Sequence, residues 1–500
     1  MAYYYGKLCS VILSHHFGSN VQKVADILLK NGPQKLSFIY MMSAGLPLDK
    51  VKESLCVLLK FGLVVYMKNE KGLQYKLEPD KIIAILRYPR FMLFVKNCNG
   101  DEGEIILEET LKCGYETASQ LILKTYVRLQ QSPVIHETSI ELLKEKFQLL
   151  VKNQFLIRYT MPDEQGNHKI DNSSYDMPEL DVNELTRMIN GHDGEPGDNK
   201  IYWKINIDRL TQDLRDNIII EAVSRMVDDN AKELMRQMIF LMYERTASWS
   251  DTSNPIPFHE IKTQIKKLEL PKLSQYLDQY LQILVDDPAQ FLKRVGDSGG
   301  GQFSIDIKRA FEELAWATIA NIICERFGSK AARIFRLIRM KKYIDQEEIQ
   351  QLSLIPAREA KHLTYALLEE NYLKTQELKK ASVASGPSKV FFVFHIDLNQ
   401  VVRMQVERCC QALYNIMQRR EDETISNKRM MDKQLRIQTL MSNLQERGGS
   451  EEQLLEIETS MTPLEKAQLG KAHKVIKTLS GAELQIDETL FLLTMYLRYH

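Results

Sequence analysis

The sequence predicts a mainly α-helical protein with small β-hairpins, divided into several small domains that precede a region of long helices. Three observations support this prediction. Most of the chain has apolar residues at helical spacing, one arrangement of helix, short turn and hairpin occurs four times, and a seven-residue apolar repeat begins after residue 399. The 500 residues are enough for three or four domains that each bury a core.

The repeated arrangement consists of a helix that ends in two apolar residues, a short connector and a strand that begins a hairpin. Three copies have a three-residue connector, and the third copy has a longer one that contains Pro288. The irregular spacing of the copies indicates four related domains rather than a regular solenoid. The helix ends and strand starts are Leu58-Leu59 and Leu63-Val64, Leu150-Val151 and Phe155-Leu156, Leu284-Val285 and Phe291-Leu292, and Leu367-Leu368 and Tyr372-Leu373.

Further helical segments precede each of these helices. Before the first copy, residues 20–32 have apolar side chains at helical spacing and a glycine stop, and residues 35–45 form a second segment. Three helices followed by a β-hairpin, the wing, make up the winged helix, in which the third helix can enter a DNA major groove. We therefore expect four tandem winged-helix domains, which are placed at residues 1–80, 81–160, 200–310 and 311–398.

Residues 161–199 separate the second and third of these domains. The segment is polar and acidic and contains both glycine and proline. Such a composition buries too little apolar surface to form a core, so we expect an acidic flexible linker.

Residues 399–500 are predicted to form C-terminal coiled-coil helices, folded as a helical hairpin or a small bundle. The polar residues Arg420, Glu423 and Asn427 interrupt the apolar repeat, and residues 445–453 mark a turn. Thr462 is expected to cap the next helix, with Pro463 at its first position. Such a hairpin suits docking, and the partner-docking seam consists of Val402, Val406, Cys409, Leu413, Ile416, Met430, Ile437 and Leu444.

Composition excludes several classes of function. Lys plus Arg and Asp plus Glu both number 66, so the chain as a whole has no net charge to draw it onto DNA or an anionic membrane. Any contact with nucleic acid must therefore be local. The seven cysteines contain no C-x-x-C pair, which indicates reduced thiols in an intracellular protein without a zinc site. No apolar run is long enough to span a membrane, and neither a secretion signal nor a cofactor is expected.

The sequence GDSGGG, at residues 296–301, matches the surroundings of the nucleophilic serine in chymotrypsin-like proteases. That mechanism needs a histidine base with a carboxylate behind it, on a scaffold of many strands. Here the motif lies between two short apolar segments, where glycines that accept positive φ are typical of a hairpin tip. We therefore expect Ser298 to lie in a wing, and we expect no catalytic residue. The pair His15-His16 has no metal-spaced partners and is expected to be structural.

The densest basic stretch lies at residues 326–342 and contains no acidic residue. On a helix that starts near Ser329, an apolar stripe faces one side and Lys330, Arg333 and Arg336 face the other. Three roles remain open for this face, namely a solvated surface, contact with an acidic protein and contact with phosphates. The candidate contacts for nucleic acid or an acidic partner are Lys50, Lys52, Lys60, Lys68, Lys71, Lys330, Arg333, Arg336 and Arg339.

Several segments resemble, in the same order, the family of the third-largest subunit of RNA polymerase III, whose members pair four extended winged helices with a C-terminal coiled coil. The resemblance covers nearly the whole chain and is weakest in the acidic linker. Its segments are LRYPRF at 86–91, DDPAQF at 286–291 followed by GDSGGG, ERFGSKAARIFRLI at 325–338, IPAREAK at 355–361 and IDETLFLL at 486–493.

The resemblance implies a non-catalytic subunit of DNA-directed RNA polymerase III, located in the nucleus. Members of the family form a subcomplex with two smaller polymerase III subunits on the polymerase clamp. There they help to recruit promoter-bound initiation factors and to open the DNA, and their construction is similar to that of transcription factor IIE. The family has no short motif that fixes individual DNA contacts, so the candidate residues above depend on charge and helical geometry alone.

Three alternatives stay open beside this interpretation. A proteasome-lid-like or cullin-like scaffold would place long helical repeats before its winged helix, and the sequence has none. A free DNA-binding transcription factor is disfavoured by the neutral charge and by third helices without the Arg and Asn that usually read bases. An enzyme would depend on GDSGGG alone.

Overall fold

The structure, a computed structural model, describes residues 3–43, 45–69, 72–130, 139–160, 172–189, 196–268, 270–379, 390–446 and 460–500. The chain forms two units, and each draws on two separate parts of the sequence. Unit 1 contains residues 1–211 and 411–487, and unit 2 contains residues 212–410 and 488–500. The predicted class, mainly helical with small antiparallel hairpins, is confirmed.

The first winged helix of unit 1 follows the expected order of helices and wing. The helices pack around a core that includes Val24, Val51 and Leu58, all fully buried. Gly32, with φ of 71°, ends the second helix as the sequence predicts. The elements are α1 Tyr3–Phe17, α2 Ser19–Asn31, α3 Leu36–Met42, α4 Leu48–Lys60, β1 Val64–Asn69, β2 Gly72–Leu77 and α5 Pro79–Ala84.

The second winged helix has a three-stranded sheet in the order β3-β5-β4. Trp203 on its central strand is fully buried and meets the ring of Phe147 edge to face at 5.7 Å. The elements are α6 Tyr88–Cys113, β3 Tyr115–Thr117, α7 Ala118–Gln130, α8 Ile140–Lys152, β4 Leu156–Arg158, α9 Val182–Ile189 and β5 Tyr202–Ile205.

The sheet differs from the sequence-based expectation at one boundary. Strand β5, whose residues were placed in the third domain, pairs with β3 and β4 and so belongs to the sheet of the second. The acidic segment before it is therefore an insertion between two strands of one sheet rather than a link between domains. Within its described part, Leu185 of α9 is fully buried. An isolated short strand gives no signal of its partner, which explains the difference.

Unit 2 contains the third and fourth winged helices. Its helices and wings share one large apolar core with residues from the end of the chain, such as Phe491 and Tyr499. The elements are α10 Ile207–Met226, α11 Asp229–Tyr243, β6 Ile256–Pro257, α12 Phe258–Lys267, α13 Pro271–Gln275, α14 Leu277–Asp286, β7 Leu292–Gly296, β8 Gln302–Ile305, α15 Ile307–Phe327, α16 Ser329–Lys341, α17 Gln346–Ser353, α18 Ala357–Glu369, β9 Lys374–Lys379 and β10 Val390–His395.

A buried arginine, Arg215, lies at the centre of a hydrogen-bond network in unit 2. The guanidinium of Arg215 is inaccessible to solvent and donates to the Asp216 carboxylate at 2.7 Å and to the Tyr499 hydroxyl at 2.8 Å. The ring of Tyr499 also stacks on Phe311 at 5.9 Å. A buried cation requires such partners, so the last helical turn of the chain is part of this core.

Two long helices complete the chain, α19 Leu398–Glu446 and α20 Pro463–Tyr499. Within unit 1 they run antiparallel, because Arg420 pairs with Glu483 at 2.6 Å while Lys433 pairs with Glu465 at 2.9 Å. The predicted helical hairpin is thereby confirmed. The hydroxyl of Thr462 accepts from the Glu465 amide at 3.3 Å, as expected for an N-cap. Most of the predicted turn, at 445–453, lies outside the described residues.

Candidate nucleic-acid and partner interfaces

Helix α16 carries the basic face that the sequence predicts. Its apolar stripe, which includes Ala331, Ile334 and Ile338, is fully buried, and Lys330, Arg333 and Arg336 are exposed on the other side. Lys330 pairs with Glu359 of α18 at 2.7 Å, and Arg333 donates to the Ser353 carbonyl at 3.2 Å.

Arg336 and Arg339 lie on this helix in different environments. The Arg339 guanidinium pairs with Glu313 at 2.5 Å and lies 4.8 Å from the centroid of the Trp316 ring. These contacts hold α16 against α15, so an outside ligand would have to displace them. Arg336 has no acceptor within hydrogen-bond distance among the residues that the structure describes, which leaves its cation available to a ligand.

The candidate lysines of the first winged helix lie on α4 and on its wing. Lys50 pairs with Glu53 at 2.7 Å on the exposed side of the helix, and Lys52, two positions after Lys50, is also exposed. Lys60 ends the helix, and Lys68 is exposed on strand β1. Lys71 lies outside the described residues. The lysines of α4 and β1 are thus distributed along the domain rather than gathered at one point.

The predicted docking seam divides into a covered part and a partly open part. Val402, Cys409 and Leu413 are buried within the chain, and burial raises the pKa of the Cys409 thiol to about 11. These three side chains therefore stabilise the packing of α19 within the chain. The other five positions, Val406, Ile416, Met430, Ile437 and Leu444, are half-buried.

The outer side of the helical hairpin exposes apolar residues that the seven-residue register missed. Ile425, Leu435 and Leu440 on α19 are 62%, 63% and 52% exposed, and Leu464 on α20 is 79% exposed. Large apolar side chains that stay exposed to solvent are a feature of protein-binding surfaces. These four residues do not fall on the seven-residue repeat, so a search for one apolar seam does not find them.

Ser298 lies at the tip of a wing, as the sequence predicts. Strands β7 and β8 pair antiparallel on either side of it, and Gly299, Gly300 and Gly301 have φ of 66°, 93° and 120°. The Ser298 side chain is exposed. The sequence GDSGGG thus makes a tight hairpin in which three successive residues need the left-handed backbone region.

A cavity of about 420 Å³ in unit 1 was not anticipated from the sequence. It lies where the wing of the first winged helix meets the sheet of the second, and it is lined by basic, aromatic and apolar side chains. Gly114 allows this approach, since a Cβ there would lie only 3.0 Å from the Lys60 carbonyl oxygen. Its lining residues are far apart in sequence, so no local pattern could reveal it.

The adjacent histidines His15 and His16 lie in contacts within the fold. His15 contacts Glu421 at 3.1 Å, and burial lowers the pKa of His16, with a smaller effect of the neighbouring His15. The described part of the chain contains no group of three or more potential ligands that could hold a metal ion. Within it, no helix combines the length and apolarity that crossing a membrane requires.

Comparison with known families finds four matches along the chain. Residues 7–69 match the RNA polymerase III subunit RPC82 helix-turn-helix domain, and residues 160–314 match RNA polymerase III subunit RPC82. Residues 319–396 match the POLR3C C-terminal winged-helix domain. Residues 429–492 match the helical hairpin domain of DNA-directed RNA polymerase III subunit RPC3.

Curated relatives match over nearly the entire length. DNA-directed RNA polymerase III subunit RPC3 of Mus musculus is 34% identical, with 98% of each chain covered. The proteins of the same name from Homo sapiens and Danio rerio are 33% and 32% identical, again over 98% of each chain. The similarity to these proteins therefore extends over nearly the whole length of the chain.

Proposed function

This chain belongs to the family of DNA-directed RNA polymerase III subunit RPC3, and we propose that it serves the polymerase as a non-catalytic scaffold for initiation. Its place as a subunit of RNA polymerase III follows from the family. The single observation that carries the assignment is 34% identity over 98% of both chains.

The proposed scaffold joins two smaller polymerase III subunits in a subcomplex on the clamp, in the nucleus. There it recruits the promoter-bound initiation factor and supports opening of the DNA, with local rather than extensive DNA contacts. Two features support this role. The exposed cations of α16 suit phosphates or an acidic protein surface, and the apolar outer side of the helical hairpin suits a protein partner.

The test is purification of a tagged chain followed by transcription with polymerase depleted of it. We expect stoichiometric co-purification of the polymerase with two smaller subunits. The depleted enzyme should lose transcription from a duplex promoter, and it should retain RNA synthesis on a template whose start region is already melted. Loss of RNA synthesis on both templates would contradict a scaffold restricted to initiation, and full activity on both would contradict any role there.

A further inference from the structure

The cavity of unit 1 carries an excess of positive charge. Five cations and two carboxylates line it, and one carboxylate, Glu78, already pairs with Lys76 at 2.8 Å. The remaining cations have no carboxylate within ion-pair distance in the described part of the chain. They are Lys60, Lys81, Arg158 and Lys204.

Lys204 is the most constrained of these cations. It lies on the central strand β5, opposite Tyr115 and Ile157 in the sheet, and its ammonium is 5.3 Å from the centroid of the Tyr159 ring. Burial and, to a smaller extent, the charge of Lys81 lower its pKa to about 8, against the weaker opposing effect of Asp208. A protein rarely keeps two lysines together in a cavity without an anion, because desolvation and mutual repulsion both oppose their charges.

The rest of the lining suits a planar organic group. Tyr66, Tyr88 and Tyr159 contribute aromatic surface beside apolar residues such as Val64 and Ile157. Burial raises the pKa of Tyr88 to about 12, so its hydroxyl stays a neutral hydrogen-bond donor. The volume falls within the range of small-molecule sites, about 300–1,000 Å³.

We propose that this cavity binds a free nucleoside phosphate, with the phosphate between Lys81 and Lys204 and the ring on the wall formed by Tyr66 and Tyr88. A phosphate has several acceptor oxygens and can contact more than one cation at once, and the aromatic wall accepts a base by stacking. The site is distinct from the basic helix α16 and from the helical hairpin, so it goes beyond the scaffold role and does not depend on it.

Isothermal titration of the purified full-length chain with adenosine monophosphate, uridine monophosphate and inorganic phosphate tests the proposal. We expect saturable binding of one nucleotide per chain and weaker binding of inorganic phosphate. Lys204→Met and Lys81→Met should each reduce nucleotide affinity by about tenfold to hundredfold, the effect of one charge-assisted hydrogen bond. Lys204→Arg, which keeps the charge, should retain most of it.

Lys23→Met serves as the matched control, because Lys23 is exposed on α2, does not line the cavity and is not a candidate contact. It should bind the nucleotides as the unmodified chain does. Absence of saturable binding, or equal affinity of the unmodified chain and a folded Lys204→Met variant, would overturn the proposal. Binding of an oligonucleotide through these lysines without binding of either mononucleotide would overturn it as well. None of these outcomes bears on assembly with the polymerase, so the two proposals fail separately.

Discussion

The Nε atom of Arg87 lies 3.2 Å from the Oδ1 atom of Asp487, and the two side chains are only 9% and 1% exposed. The residues are 400 positions apart, in LRYPRF and in IDETLFLL, two of the segments that carry the family resemblance. A buried ion pair is stable only while both partners remain, because a lone buried charge is strongly unfavourable. This pair therefore anchors α20 beside the second winged helix within unit 1.

Asp487→Ala should destabilise unit 1 by about 3–5 kcal/mol, the typical cost of removing one partner of a buried ion pair. Hydrogen exchange of peptides from residues 463–487 measures the effect locally. The double variant Arg87→Met/Asp487→Leu should lose much less protection, since neither charge remains. If the double variant exchanged as fast as the single one, the ion pair would not be the anchor.

Lys204→Met should stabilise unit 1 at neutral pH. The folded pKa of Lys204, about 8, lies below the ordinary value of 10.5, so the unfolded chain binds more protons between these two values. The destabilisation by Lys204 is thus fully present below pH 8 and disappears as the pH rises towards 10.5. The gain for the variant should be on the order of 1–3 kcal/mol at pH 7 and should shrink by pH 10.

Thermal unfolding of the unmodified chain and of Lys204→Met at the two pH values measures this difference. A stabilising substitution that also weakens nucleotide binding would identify Lys204 as a residue kept for binding at the expense of stability. A variant that is less stable at pH 7 would show that Lys204 contributes to packing instead.

Ser298→Ala should leave folding, assembly and transcription unchanged, because the side chain is exposed at the tip of a wing. Gly300→Val should be harmful, since its φ of 93° strains a β-branched residue by about 1–3 kcal/mol and its Cβ would lie 3.1 Å from the Phe258 ring. Thermal unfolding measures both effects, with labelling by a serine-directed phosphonate as a second readout. Stoichiometric labelling that Ser298→Ala abolishes would contradict the wing interpretation.

Leu435→Glu should weaken incorporation into the polymerase without unfolding the chain. Leu435 is 63% exposed on the helical hairpin, so a charge there is tolerated in solution and disfavoured in an apolar interface. Co-purification with the polymerase measures the effect, and Gln438→Glu, at another exposed position of α19, is the control for added charge. Normal incorporation of Leu435→Glu would exclude this surface as a docking site.

Arg333→Gln/Arg336→Gln distinguishes phosphate contact from protein contact at α16. Each lost phosphate contact reduces the slope of log affinity against log salt by about 0.9, so two contacts would reduce it by about 2 for the promoter-bound polymerase. Contact with an acidic protein surface would instead weaken assembly and leave the slope unchanged. Lys272→Gln, an exposed lysine of α13, controls for lost charge within unit 2. Normal assembly with an unchanged slope would leave only a solvated face.

The sequence predicts those features that depend on neighbours along the chain. Helical spacing located α16 and its buried stripe, glycines located the wing at Ser298, and Thr462 located the start of α20. Features that depend on distant partners were missed. The pairing of β5 with β4, the Arg87–Asp487 pair and the cavity around Lys204 each join segments whose local patterns carry no information about the other.

The division of the chain into interleaved parts has a consequence for its synthesis. Unit 1 needs residues 411–487, and unit 2 needs residues 488–500, where Tyr499 receives the hydrogen bond from Arg215. Each core is therefore incomplete while those residues are still inside the ribosome. Most domains, in contrast, fold in order as they emerge. The apolar surface that these residues cover therefore stays exposed until they emerge, and we expect nascent chains of this protein to bind chaperones.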